Sequence, residues 1–191
     1  MGSPRALSLG SVSSMRRHGN RAVVGVVVAA LSLAGCNQTV GGTARLATPG
    51  GPADDRSYGY ADNRCGLLQD STVSQTLGAD KVVRPYSGAV CQYVLDRRSA
   101  VIDVVFAWFD TGTLDRERAL AADRGAQITD TVVERHNGFL ARRDGVGVAC
   151  AATAAGGGGV LSWWVQYRHQ STGDPCPDAE RLLSATLKSD L

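Results

Sequence analysis

Ala100-Val-Ile-Asp-Val-Val-Phe-Ala-Trp-Phe109 carries apolar side chains at both odd and even positions. A strand that is apolar on both faces belongs inside a sheet, covered by helix on at least one side. Residues 89–95 precede it across Asp96-Arg97-Arg98-Ser99, which reads as a hairpin loop. After it, residues 114–124 read as a helix. Thr113 is the cap, Asp115 and Glu117 lie near its positive end, and Gly125 is its stop.

Further along, residues 127–136 and 139–144 flank Asn137-Gly138, a hairpin signal between two strand-like runs. With that turn, Ile128, Val132, Phe139 and Ala141 share one face, and Arg135, Leu140 and Arg142 share the other. Residues 146–154 and 160–168 form a second hairpin around an all-glycine loop, 156–159. In its second arm Leu161, Trp163, Val165 and Tyr167 alternate with Ser162, Trp164, Gln166 and Arg168. One face is therefore core and the other partly wet. A final helix enters through Asp174-Pro175-Cys176-Pro177 and buries Ala179, Leu182, Leu183 and Leu187. A short helix begins at Asp70 and stops at Gly78. The expected fold is a single α+β domain: a mostly antiparallel sheet of about five to six strands, with helices packed on one face.

Upstream the chain has another character. Met15-Arg-Arg-His-Gly-Asn-Arg21 is basic, residues 22–34 are apolar, and Leu33-Ala34-Gly35-Cys36 follows. The apolar run is shorter than the roughly 20 residues a spanning helix needs. It fits the core of an export signal, residues 1–35, with Met15 as an alternative start. Leu33-Ala34-Gly35-Cys36 resembles a bacterial lipobox. That resemblance implies acylation of Cys36 and a mature chain held by its lipid in the outer leaflet of the plasma membrane. Residues 36–64, rich in Gly, Pro, Thr and Asp, read as a flexible tether, and 65–191 as the domain.

Charge supports no nucleic-acid surface. Four of the 20 Lys and Arg lie upstream of Cys36 (Arg5, Arg16, Arg17 and Arg21), while all 18 Asp and Glu lie beyond it. The remainder is slightly acidic and lacks a basic cluster.

Past Cys36 four cysteines remain: Cys65, Cys91, Cys150 and Cys176. In an exported domain they suggest two disulfides, and three connectivities exist. Cys65–Cys91 and Cys150–Cys176 are favoured, because each pair closes an equal loop and ties a helix end to a neighbouring strand. The cysteines are spaced singly, so no metal site is expected. No cofactor is expected either.

Cys65-Gly-Leu-Leu, Leu77-Gly78, Cys91-Gln-Tyr, Phe106-Ala-Trp108, Arg116-Glu117-Arg118 and Gly138-Phe139-Leu-Ala141 form a pattern with Cys150, Trp163-Trp164 and Pro175-Cys176-Pro-Asp-Ala179. With the lipobox, this pattern resembles a family of actinobacterial, especially mycobacterial, lipoproteins with a domain of unknown function. The resemblance implies an envelope-facing domain and transfers no catalytic residue.

The residues give no Gly-x-Ser-x-Gly, His-Glu-x-x-His, Walker or dinucleotide motif. His136 and His169 read as solvated loop residues. Trp108, Trp163, Trp164 and Tyr167 are the candidate contact residues, as walls of a ligand cleft or, for Trp164, an exposed anchor. Arg135 and Arg142, expected side by side near a hairpin end, are candidates for anionic lipid or glycan. The leading expectation is a non-enzymatic envelope lipoprotein that holds a lipid, glycolipid or envelope protein. The alternatives are an envelope hydrolase and an extracytoplasmic sensor module.

Overall fold

Seven antiparallel strands form one sheet in the order β1-β2-β3-β7-β6-β5-β4. The computed structural model describes residues 56–98, 100–170 and 173–189. Along the chain the elements are α1 (Asp70–Leu77), β1 (Lys81–Tyr86), β2 (Val90–Arg97), β3 (Ala100–Phe109), α2 (Leu114–Asp123), β4 (Gln127–Val133), β5 (His136–Gly145), β6 (Gly147–Gly156), β7 (Gly159–Arg168) and α3 (Cys176–Lys188). Two meanders, β1-β2-β3 and β4-β5-β6-β7, meet where β3 pairs with β7. β3 is thus interior to the sheet, as its two-sided apolar sequence requires.

The register decides which side chains share the core. Phe106 stands opposite Cys91 and Trp163, and Val104 opposite Tyr93 and Val165. All six are buried on one face. The Trp163 ring lies 4.8 Å from Phe106 and 6.1 Å from Tyr93, in tilted contacts. α3 closes this core face with Ala179, Leu182, Leu183 and Leu187. It begins where Pro175 and Pro177 fix the first turn. α1 packs beside α3 and ends at Gly78, whose φ of 60° lets Ala79 N–H donate to Ser74 O at 2.8 Å.

α2 lies on the opposite face, over β4, β5 and β6. The expectation of helices on one face holds for α1 and α3 only. The link from β3 to β4 must travel from the middle of the sheet to its far edge, and α2 spans that gap on the free side. It buries no residue of its own. Thr113 caps it, accepting from Arg116 N–H, and Arg118 clips it to the sheet by covering the Phe139 ring and pairing with Asp130.

Other expectations change. The sheet has seven strands, one more than the upper end of the expectation. β1 escapes a sequence reading because Pro85 breaks its pattern and its burial does not alternate cleanly, as befits an edge. The hairpin turn is Glu134-Arg135, not Asn137-Gly138. Both turn residues have positive φ, 48° and 67°. Gly138 lies within β5, where a Cβ would come within 2.4 Å of Thr153 O. That glycine serves strand approach and not a turn. The face assignments of the strand residues survive, because the turn moves every partner by an even number of residues, but Arg135 passes from a strand face into the turn.

His136 is consequently in the sheet, 5% exposed, its Nδ1 2.8 Å from Ala155 O, and not in a wet loop. Residues 56–64, read as tether, are packed onto the domain. Tyr58 is fully buried against Trp108, and Arg56 donates to Ser189 O at 3.1 Å. The all-glycine loop answers to the same packing. At Gly157 a Cβ would meet Arg56 O at 2.2 Å. The favoured disulfides are the ones formed: Cys65–Cys91 and Cys150–Cys176, each with a sequence separation of 26.

Candidate functional site

Trp163 and Tyr167 point into the core, where Trp163 is fully buried. Its Nε1 donates to Thr186 Oγ1 at 2.8 Å, which satisfies the one polar atom of a fully buried indole. Trp108 packs at the core margin against Tyr58. The Tyr167 hydroxyl donates to Asp178 Oδ2 at 2.8 Å. Trp163 and Tyr167 are thus buried, and Trp108 is partly buried.

Around Asp178 the structure assembles a polar cluster that sequence reasoning missed. Asp178 is 2% exposed in the first turn of α3. Its carboxylate accepts from Arg97 at 2.7 Å and from Tyr167, and pairs with Arg181. Arg97 also donates to Leu77 O at 3.2 Å and lies over the Tyr167 ring. Burial lowers the Arg97 pKa, but its bonds to Tyr167 and Asp178 outweigh that and hold it above the usual value. Burial also raises the Tyr167 hydroxyl, with Asp178 acting the same way. This cluster ties β2, β7 and the ends of α1 and α3, and both carboxylate oxygens are occupied. Asp178→Asn will destabilise the domain by about 2–3 kcal/mol, less than the 3–5 kcal/mol of a sealed pair. The discount follows from Arg181, whose side chain is 55% exposed and regains water. Urea unfolding midpoints check this.

A second cluster surrounds Arg84. It pairs with Asp70 at 3.2 Å, donates to Asn63 O at 3.0 Å, and lies over the rings of Tyr60 and Tyr93. Burial, then the Asp70 carboxylate, push the Tyr93 hydroxyl up to about 12 against the pull of Arg84. Beside it Asp62, Asn63, Gln69, Asp70 and Ser71 line an open cleft of about 350 Å³. Its lining is polar, unlike the mostly apolar lining of small-molecule sites.

Arg135 and Arg142 do not meet. Arg135 is in the β4–β5 turn, whereas Arg142 pairs with Gln127 at the other end of that hairpin, about 20 Å away at 3.3 Å per residue. Arg142 is held by Asp174 at 3.0 Å and Asp144 at 3.2 Å. The side-by-side expectation failed because it rested on a turn at Asn137-Gly138.

Among the described residues, what remains open is the sheet face opposite the core, beyond the reach of α2. Trp164 stands there between Val105 of β3 and Ala151 of β6. Val94, Val101, Val105, Ala107 and Trp164 are half-buried, and Phe109 is 43% exposed. Asp103 interrupts the strip between Val101 and Val105, opposite Val94 and Gln166; Arg168 grips it through two nitrogens, and Gln166 Nε2 donates to Val146 O at 2.8 Å. A shallow apolar strip with an ion pair set into it suits contact with another macromolecule more than enclosure of a small ligand. The signal in the sequence was the alternation of β7, which set Trp164 on the face away from Leu161 and Trp163.

The class defined by fold and surface is a disulfide-stapled α+β domain with one closed and one partly open sheet face. Residues 31–189 match the family described as "Protein of unknown function (DUF3558)", and the chain belongs to that family. It is 25% identical over 165 residues to "Putative lipoprotein LprB" of Mycobacterium leprae, covering 84% of this chain and 86% of that protein. It is 23% identical over 181 residues to "Putative lipoprotein LprB" of Mycobacterium bovis, covering 91% and 98%. No solved structure matches the chain. The export signal, Cys36 and residues 37–55 of the tether lie outside the described residues. Among the described residues no helix is long and apolar enough to cross a membrane.

Proposed function

We propose that this chain is a non-enzymatic envelope lipoprotein, anchored through acylated Cys36 to the outer leaflet of the plasma membrane, that holds an envelope protein partner. The anchor is supported by Leu33-Ala34-Gly35-Cys36 after a basic and apolar leader. It is supported too by the family match, which begins at residue 31 and takes in that motif, and by two relatives named as lipoproteins. The observation that carries the binding reading is the half-buried apolar strip around Trp164, which no described residue covers completely. A half-buried tryptophan beside such a strip is the residue type that anchors interfaces.

Two changes in living cells test this. Cys36→Ser will move the protein from the membrane fraction to the soluble or secreted fraction. A photo-crosslinking residue at 164 will trap a discrete envelope protein, and Trp164→Arg will abolish its co-purification from native membranes. Substitution of an interface tryptophan typically costs about 2 kcal/mol or more, roughly thirty-fold in affinity. Retention at the membrane by the serine variant would refute the anchor. A lipid or glycolipid bound in place of a protein, or turnover of an envelope substrate, would refute the partner reading.

A further inference from the structure

Two edges bound the sheet, and they are built differently. β1 carries Lys81, Arg84 and Pro85, and its register with β2 shifts between Val83 and Tyr86. Charge, proline and irregularity are the devices that keep foreign strands off an edge. β4 has no proline, lysine or arginine, and its register with β5 is unbroken from Gln127 to Val133. Ile128, Thr129, Thr131, Val132 and Val133 are all β-branched. Thr129 and Asp130 are exposed and Val132 is 66% exposed, and among the described residues no strand lies beyond β4.

We propose that β4 is a self-association edge, pairing antiparallel with β4 of a second copy about a twofold axis through Asp130. The occupant follows from the sequence of the strand. Ile128-Thr129-Asp130-Thr131-Val132 reads nearly the same in both directions from Asp130. A twofold pairing centred there sets Ile128 against Val132 of the second copy, and Thr129 against Thr131 of the second copy. The apolar pairs fall on the face that carries α2, and the threonine pairs on the face that carries α3. Both kinds of pair stabilise antiparallel sheets. Only a self-pairing interface uses such mirror symmetry.

The two Asp130 carboxylates would meet at the axis, but each is already paired with Arg118 of its own α2, so the centre holds equal positive and negative charge. Moving the axis by one residue either way would set Asp130 against Val132 or Ile128 of the second copy. Those carboxylate–apolar pairs disfavour the shifted registers.

The test uses the full-length lipidated chain in membranes and in detergent micelles. A single cysteine cross-links to its own copy efficiently only at the axis. Asp130→Cys will oxidise to a reducible dimer, while Thr129→Cys and Thr131→Cys alone will do so about ten-fold less, because their directly opposed residues differ. Mixing the Thr129→Cys and Thr131→Cys chains will restore cross-linking. Val83→Cys, on the guarded edge, will form no disulfide-linked dimer. The same lipidated chain without substitutions, which carries no variant's folding defect, will sediment as a dimer at about 10 µM and above, and Val132→Lys will lose the dimer with its thermal midpoint kept. A monomeric unsubstituted chain, Asp130→Cys cross-linking no better than Val83→Cys, species larger than dimers, or cross-links to a different protein would each overturn the proposal.

Discussion

Trp163→Ala will destabilise the domain by about 3–5 kcal/mol, whereas Trp164→Ala, one residue along, will cost about 1 kcal/mol or less. The difference comes from the strand pleat. Trp163 is fully buried between Phe106 and Tyr93, under α3. Its removal leaves a cavity in a close-packed core and strips Thr186 Oγ1 of its donor. Trp164 faces the open side over Val105 and Ala151, and its loss exposes a strip that is already half wet. Urea midpoints measure the first effect. The contrast is that Trp164→Ala leaves the fold intact while weakening partner capture. Equal destabilisation by the two variants would contradict the orientation of β7.

Loss of both disulfides will unfold the domain at ordinary temperature. Each closes a loop with a separation of 26 residues, and chain entropy assigns about 3.5 kcal/mol to a loop of that size. The loops 65–91 and 150–176 do not overlap, so their contributions add, to about 7 kcal/mol. That is comparable with the whole stability of a typical domain, about 5–15 kcal/mol. Alanine at Cys65 and Cys91, or at Cys150 and Cys176, will each lower the unfolding free energy by roughly half that sum, and all four together will leave little folded protein. The second pair also positions a helix, because Cys150 on β6 holds Cys176, the first residue of α3, beside the Asp178 cluster. Circular dichroism of the two double variants and the quadruple variant checks the additivity. Independent sites predict it, and a quadruple variant as stable as either double would refute it.

Residues such as Thr113, Gly78 and Pro177 mark helix ends through bonds made within a few positions, so the helices were readable without the fold. Leu161 to Arg168 showed the same kind of local signal for β7. Asn137-Gly138 misled because a glycine that admits a neighbouring strand looks, in one dimension, like a glycine that permits a turn. Arg135 and Arg142 were placed together by that mistake, and His136 was left in water by it. Pro85 hid β1 in the same way. In Arg97, Tyr167 and Asp178 no local pattern exists at all, since the three residues come from separate elements and meet only when α3 docks.

The α+β class, the helix caps, the core stripe of α3 and the alternation of β7 are all written in the linear chain, because each depends on interactions between near neighbours or on period-two and period-3.6 patterns; the four cysteines favoured one pairing, which the fold then decided. The strand order, the site of the β4–β5 turn, the passage of α2 over the far face and the exposure left around Trp164 arise only on folding. They depend on which surfaces meet across long stretches of chain, where burial outweighs local preference.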